Sequence, residues 1–214
     1  MSAEHIRFFF DPICPWCYQT SRWIRQLERL GEVTASWGVF SLELANDGPG
    51  ERLPRSAAAL RTALLADERH GPAATGAFYA CLGAAVHERG ARVHDPDVIT
   101  AALAEAGLEP GLLDEAVADH ATWDRVAAQH AALVEDTGSF GVPTIVLDDG
   151  RGPAIFGPVI SEVPSDDDAV ELLRHVVWLT RYENFSELKR DRADPDLESI
   201  RRFRARETRA RDDA

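Results

Sequence analysis

Ile6-Arg7-Phe8-Phe9-Phe10-Asp11-Pro12-Ile13-Cys14-Pro15-Trp16-Cys17 is the stretch that decides how the rest of the chain folds. The apolar run from Ile6 to Phe10 predicts a buried strand. Asp11-Pro12 predicts a turn. Two cysteines then stand at C-x-x-C spacing where a helix has to begin, because Trp16, Trp23, Ile24, Leu27 and Leu30 recur at helical intervals. Pro15 suits the first turn of that helix, where its missing N–H has no partner anyway. Cys14 is thereby placed at a helix N-terminus. Unpaired N–H groups and the positive end of the helix dipole favour a thiolate there.

A strand running into a C-x-x-C that opens a helix is the layout of a thioredoxin-like redox site. Cys14 is expected to be the exposed, low-pKa nucleophile. Cys17, one turn further in, is expected to be more buried and to resolve the mixed disulfide. The competing use of such a pair is half of a zinc site. That needs a second pair, and the chain has one other cysteine, Cys81. No His-x-x-x-His supports a mixed site, so a dithiol without metal is the preferred reading. Cys81 falls on an apolar helical stripe and reads as a buried, inert thiol.

At 214 residues the chain has room for one large domain, or for a core with an inserted subdomain. Its net charge of −13 argues against nucleic acid as a partner, since phosphate contact needs a basic face. The charge is uneven. From Phe185 onward there are nine Lys/Arg and eight Asp/Glu, which leaves −14 on the residues before it. No run approaches the ~20 apolar residues of a membrane span, and no signal-peptide pattern is seen. A cytoplasmic protein is expected, and in that compartment a C-x-x-C is more often catalytic than structural.

Outward from the first helix, Gly31 predicts its C-terminal cap, and Val33 to Phe40 a second strand. Ser41 to Pro54 reads as a loop around Asn46, Asp47, Gly48, Pro49 and Gly50. From Ser56 to Thr137 only helical patterns follow, with Asp95-Pro96 as one N-terminal signal and Gly107 and Gly138 as stops. Strand character returns at Thr144-Ile145-Val146-Leu147. Asp148-Asp149-Gly150 turns it back into Ala154-Ile155-Phe156 as a hairpin. Asp166-Asp167-Asp168 opens a last amphipathic helix. The expected fold is α/β: a thioredoxin-like core over 1–50 and 138–190, with an inserted all-helical subdomain over 51–137. Residues 191–214 read as a charged, solvated C-terminal tail.

Gly141-Val142-Pro143-Thr144-Ile145 is the second informative stretch. Proline is tolerated at the first position of a strand because it cannot donate to the ladder. In a thioredoxin-like architecture this place is held by a cis-proline beside the dithiol, a bond that costs only ~0.5–1 kcal/mol at X-Pro. The backbone of Val142 is then free to pair with a bound thiol, and Pro143 shields Cys14 from metal. His87, near a helix end, reads either as a complement to the dipole or as a substrate contact. His130 shares an apolar face and reads as a core histidine. Asn46 reads as a turn residue.

These residues together resemble the DsbA-like thioredoxin-fold proteins, and among them the actinobacterial mycothiol-dependent nitroreductases. The resemblance runs from Phe10-Asp11-Pro12-Ile13-Cys14-Pro15-Trp16-Cys17 and Thr20-Ser21-Arg22-Trp23-Ile24 through Ser41-Leu42 to Asn46. It continues through Val98-Ile99-Thr100, Ala106-Gly107-Leu108 and Gly141-Val142-Pro143-Thr144-Ile145. It ends with Phe156-Gly157-Pro158-Val159-Ile160-Ser161 and Glu187-Leu188-Lys189-Arg190. Gly48 to Ala59 departs from the pattern, and the segment after Asp194 has no counterpart. The resemblance implies a helical insertion lying over the dithiol and no tightly bound cofactor. Mycothiol is the implied thiol reductant. The reduced dithiol would then act on disulfides or nitroaromatic-type small molecules. It places Cys14, Cys17 and Pro143 at the catalytic centre and Trp16, Asn46, His87 and Val142 among the substrate contacts. The implied partners are a small thiol and a small-molecule or protein disulfide, with a homodimer left open. Two alternatives share the fold: a thiol-cofactor-dependent isomerase or transferase, and a non-redox binding module.

Overall fold

The computed structural model describes residues 3–47 and 52–212. Strand β1, Glu4–Phe10, lies inside a four-stranded sheet of order β2-β1-β3-β4. It pairs in parallel with β2, Val33–Val39, and antiparallel with β3, Thr144–Val146. Strand β4, Ala154–Phe156, completes the sheet as the antiparallel partner of β3. This position explains why β1 ends in the continuous apolar run Phe8-Phe9-Phe10. A strand covered on both faces has no solvent side to alternate with, and Ile6, Phe8, Phe9 and Phe10 are all buried.

Helix α1, Pro15–Leu30, starts directly after Cys14 and stops at Gly31, whose φ of 76° needs a residue without a side chain. Its buried face includes Trp23, Ile24 and Leu27. The Trp23 indole N–H donates to the Ala169 carbonyl at 3.2 Å, which fixes α1 against α8, Asp166–Arg181. Near its start, the Thr20 hydroxyl donates to Pro158 O and the Gln19 amide to Ser161 O.

Between β2 and β3 run α2, Leu42–Asp47; α3, Ala57–His70; α4, Pro72–Gly83, which continues into a π-helical turn at Ala84–Glu88; α5, Pro96–Glu105; α6, Leu112–Ala118; and α7, Ala121–Thr137. The Asp95 carboxylate caps α5 by accepting from Asp97 N, and Gly138 ends α7, both as the sequence predicts. These helices share one apolar core with the sheet. Phe10 stacks on Tyr79 with ring centroids 3.8 Å apart, and Trp37 meets Phe8, Phe10 and Tyr79 edge-on.

Three expectations need correction. The loop expected over Ser41 to Pro54 begins with α2. The Ser41 hydroxyl accepts from Leu44 N, Leu42 N donates to the Asp11 carboxylate at 2.8 Å, and Leu-Glu-Leu-Ala are good helix formers. The turn residues Gly48, Pro49 and Gly50, and Glu51 at the expected start of the insertion, lie outside the described residues. Cys81, expected to be buried, is only partly so. It lies near Arg25 of α1 and near Glu105 and Arg89, and burial is the main influence raising its pKa.

The third correction concerns the tail. Helix α9, Glu198–Asp212, is anchored rather than free. Leu197 is 3 % exposed, Arg202 donates to Gly90 O, and Arg204 pairs with Asp194. Leu197, Ile200 and Phe203 recur every third residue and give the helix one narrow apolar edge. No helix among the described residues is long and apolar enough to cross a membrane.

Candidate active site

Asp11 organises the loop between β1 and α1. Its two carboxylate oxygens accept from Ile13 N at 3.1 Å and from Leu42 N at 2.8 Å, and its carbonyl accepts from Cys14 N at 3.0 Å. The sequence marks Asp11 only as a turn residue. Its second role, joining the start of α2 to the dithiol loop, depends on a contact across 31 residues of chain.

Burial raises the Asp11 pKa from 3.8 to about 6, against the lowering effect of the Leu42 and Ile13 N–H groups. The native state therefore binds the proton more tightly than the unfolded chain. Stability falls as pH rises from about 4 to about 6 and stays lowered above that. Two units correspond to about 3 kcal/mol. Wild type is expected to lose about that much relative to Asp11→Asn between pH 4 and pH 7, read from urea unfolding. A pH-independent difference between the two proteins would refute it.

Cys14 is the N-cap of α1, and its Sγ accepts from Cys17 N at 3.3 Å. In its thiol form Sγ faces Val142 O at 3.7 Å, across 128 residues of sequence. The Val142–Pro143 peptide bond is cis, and Thr144 follows as the first residue of β3. Hydroxyls hold this bend: Ser139 Oγ and Thr144 Oγ1 both donate to Gly141 O, at 2.9 and 2.7 Å. Cys14 and the Val142-Pro143 pair, far apart in sequence, thus share one site. The expected exposure of Cys14 needs correction, because the residue is only 5 % exposed. The order of the two cysteines is as expected, since Cys17 is fully enclosed. Burial first, then the neighbouring Cys14 thiol, pushes the Cys17 thiol well above its ordinary pKa. Among the described residues no third His, Cys, Asp or Glu joins the pair in a metal-binding group.

His87 takes a different place from the expected substrate contact. It is 1 % exposed and lies in the π-helical turn after α4, stacked on Tyr18. Nε2 is 2.9 Å from Pro12 O, and Nδ1 is 2.9 Å from the Ser199 hydroxyl. Pro12 O can only accept, so Nε2 carries the proton and Nδ1 accepts from Ser199. His87 therefore ties the tail to the loop before Cys14. Gly83 permits this packing, because a Cβ there would lie 2.4 Å from the Tyr18 ring. Tyr18 completes the group by donating to Glu88 at 2.6 Å. Asn46, another expected contact, stands exposed near the end of α2 and does not line the cleft. His130 is half-buried against Phe40.

A cleft of about 680 Å³ opens beside the dithiol. One wall is Ile13, Pro15 and Trp16, the neighbours of Cys14. The other comes from the tail and includes Arg192, Ile200 and Phe203. The Arg192 guanidinium lies over the Trp16 ring, 5.3 Å from its centroid. The tail wall was missed at the sequence level, although the three-residue spacing of Leu197, Ile200 and Phe203 is a signal for it.

A family model described as Rv2466c-like, mycothiol-dependent nitroreductase Rv2466c, matches residues 13–190. The chain is 34 % identical over 207 residues to the uncharacterized protein Rv2286c of Mycobacterium tuberculosis, covering 91 % of this chain and 85 % of that one. Among solved structures, it is similar to the cytosolic disulfide reductase DsbM of Pseudomonas aeruginosa with GSH. There the TM-score is 0.59 at 17 % identity, over 81 % of this chain and 99 % of that chain. It is also similar to the probable DsbA oxidoreductase SCO1869 of Streptomyces coelicolor, with a TM-score of 0.54 at 20 % identity, over 89 % and 94 % of the two chains. At such identities the structural likenesses establish the DsbA-like thioredoxin fold alone.

Proposed function

Because this chain belongs to the Rv2466c-like family of mycothiol-dependent nitroreductases, we propose that it is a cytoplasmic dithiol oxidoreductase that uses Cys14 and Cys17, is reduced by mycothiol, and reduces disulfides or electron-poor small molecules such as nitroaromatics. The observation that carries this reading is the approach of Cys14 Sγ, at the N-terminus of α1, to the Val142 carbonyl beside Pro143.

The steps follow from the two sulfurs' surroundings. Cys14, as thiolate, attacks one sulfur of a substrate disulfide. A Cys14–substrate disulfide forms and one substrate thiolate leaves. Val142 supplies backbone groups beside the incoming sulfur, and Trp16 forms the apolar surface next to it. Cys17 stays protonated while buried, so it does not compete for the first attack. Once deprotonated it attacks Cys14 Sγ, releases the second substrate thiolate and leaves a Cys14–Cys17 disulfide. Two mycothiol molecules then return the two electrons and leave as mycothiol disulfide. Asp11 and His87 take no part in bond making in this scheme. They hold the loop that carries Cys14.

The test is to trap the first intermediate. Cys17→Ser, incubated with mycothiol disulfide, is expected to gain the mass of one mycothiol per chain, in a bond that dithiothreitol reverses. Cys14→Ser under the same conditions is expected to gain none. An unmodified Cys17→Ser protein would remove mycothiol from the scheme.

A further inference from the structure

We infer that the C-terminal segment is part of the substrate site, that it selects aromatic disulfides carrying a carboxylate or similar acid group, and that Arg192 is the residue that makes the selection. This inference rests on the dithiol chemistry proposed above. Arg192, Ile200 and Phe203 all lie beyond residue 190, where the family match ends.

Three observations converge on it. The first is shape and polarity. Trp16 and Ile13 on the dithiol side face Ile200 and Phe203 on the tail side across the cleft, and Phe203 is 56 % exposed. A flat apolar ring is the group such walls cover best. The second is charge. Two other arginines line the cleft, but Arg55 pairs with Glu43 at 3.0 Å and Arg204 pairs with Asp194 at 2.9 Å. Arg192 has no carboxylate partner among the described residues. Its recorded contact is the face of Trp16. A guanidinium held over a ring face uses none of its N–H groups on a carboxylate, so they are available to fork one from a ligand. The third is the rest of the protein. With a net charge of −13, the body repels anions. An acidic substrate therefore gains most from a cation standing beside the reacting sulfur.

The tail is held in place for this role. Ser199 donates to His87, which donates to Pro12 O, two residues before Cys14. The wall and the nucleophile's loop are thus parts of one hydrogen-bonded unit.

The experiment uses the pre-reduced full-length protein and two coloured aromatic disulfides, the dianionic dithiobis(nitrobenzoate) and the neutral dithiodipyridine. Stopped-flow release of the aryl thiolate gives a second-order rate for each. The ratio of the anionic to the neutral rate is the readout. Arg192→Gln is expected to lower that ratio about fivefold at low salt, as loss of one exposed, partly desolvated ion pair does. High salt is expected to shrink the effect, because exposed charges are screened. Arg192→Lys is expected to restore the ratio in part, since it keeps the charge and loses the fork. Arg206→Gln, in α9 but outside the cleft, is expected to leave the ratio alone. Equal slowing of both disulfides by Arg192→Gln, or an unchanged ratio, overturns the inference while the dithiol chemistry stands. Failure of wild type to reduce either disulfide overturns both.

Discussion

Cys14→Ser is expected to leave the fold intact and to lower thiol-dependent disulfide reduction by at least about a thousandfold. A serine hydroxyl is not ionised near neutral pH, whereas the thiolate is the species that attacks a disulfide. The fold is expected to survive because the position is the N-cap of α1. There Cys14 Sγ accepts the Cys17 N–H at 3.3 Å, and a serine oxygen is a better N-cap acceptor than sulfur. Two measurements belong together: the unfolding midpoint of Cys14→Ser, and its turnover of an aromatic disulfide with mycothiol as reductant. An unshifted midpoint with turnover lost places the chemistry on Cys14. Turnover above about a tenth of wild type would mean that another group is the nucleophile.

The second large effect is on stability at low pH, through His87. Burial lowers its pKa from 6.5 to about 4, although the bond to Pro12 O and the charge of Glu88 act the other way. The native state therefore resists protonation of a ring that the unfolded chain protonates readily. Stability from this group is complete above about pH 6.5 and is lost as pH falls toward 4. The shift corresponds to about 3 kcal/mol. Protonation would also leave both ring nitrogens as donors, so that Ser199 could no longer donate to Nδ1. Wild type is expected to lose about 3 kcal/mol relative to His87→Gln between pH 7 and pH 4, measured by urea unfolding. Asp11 titrates in an overlapping range with the opposite sign, but it is present in both proteins and cancels in the difference. A difference that does not change with pH would show that the ring is not held neutral by its surroundings.

These opposing groups have one structural meaning. Asp11 and His87 both hold the segment that leads into Cys14, Asp11 through its bond to Leu42 N of α2 and His87 from the π-helical turn, where it also takes a bond from Ser199 of the tail. The Asp11 carboxylate is most costly above pH 6, and neutral His87 is costly below it. The same contacts bring the π-helical turn against the dithiol loop and α9 against the π-helical turn.

Much of this molecule could be read from short stretches of chain. The apolar run of β1, the proline at the start of α1, the glycine after it and the hairpin of β3 and β4 each depend on neighbours a few residues apart. The C-x-x-C at a strand-to-helix junction depends on them as well, so the sequence alone determined the fold class and where the two neighbouring sulfurs lie in it. The contact of Cys14 with Val142, the second attachment of Asp11, the enclosure of His87 and the docking of α9 each join residues 31 or more apart. A charged tail with one apolar edge reads as solvated until a complementary surface exists to receive that edge. Only the folded chain supplies the surface, because the π-helical turn and the dithiol loop that form it come from separate parts of the sequence. Tertiary structure therefore decided how far Cys14 is covered and which side chains wall the cleft beside it.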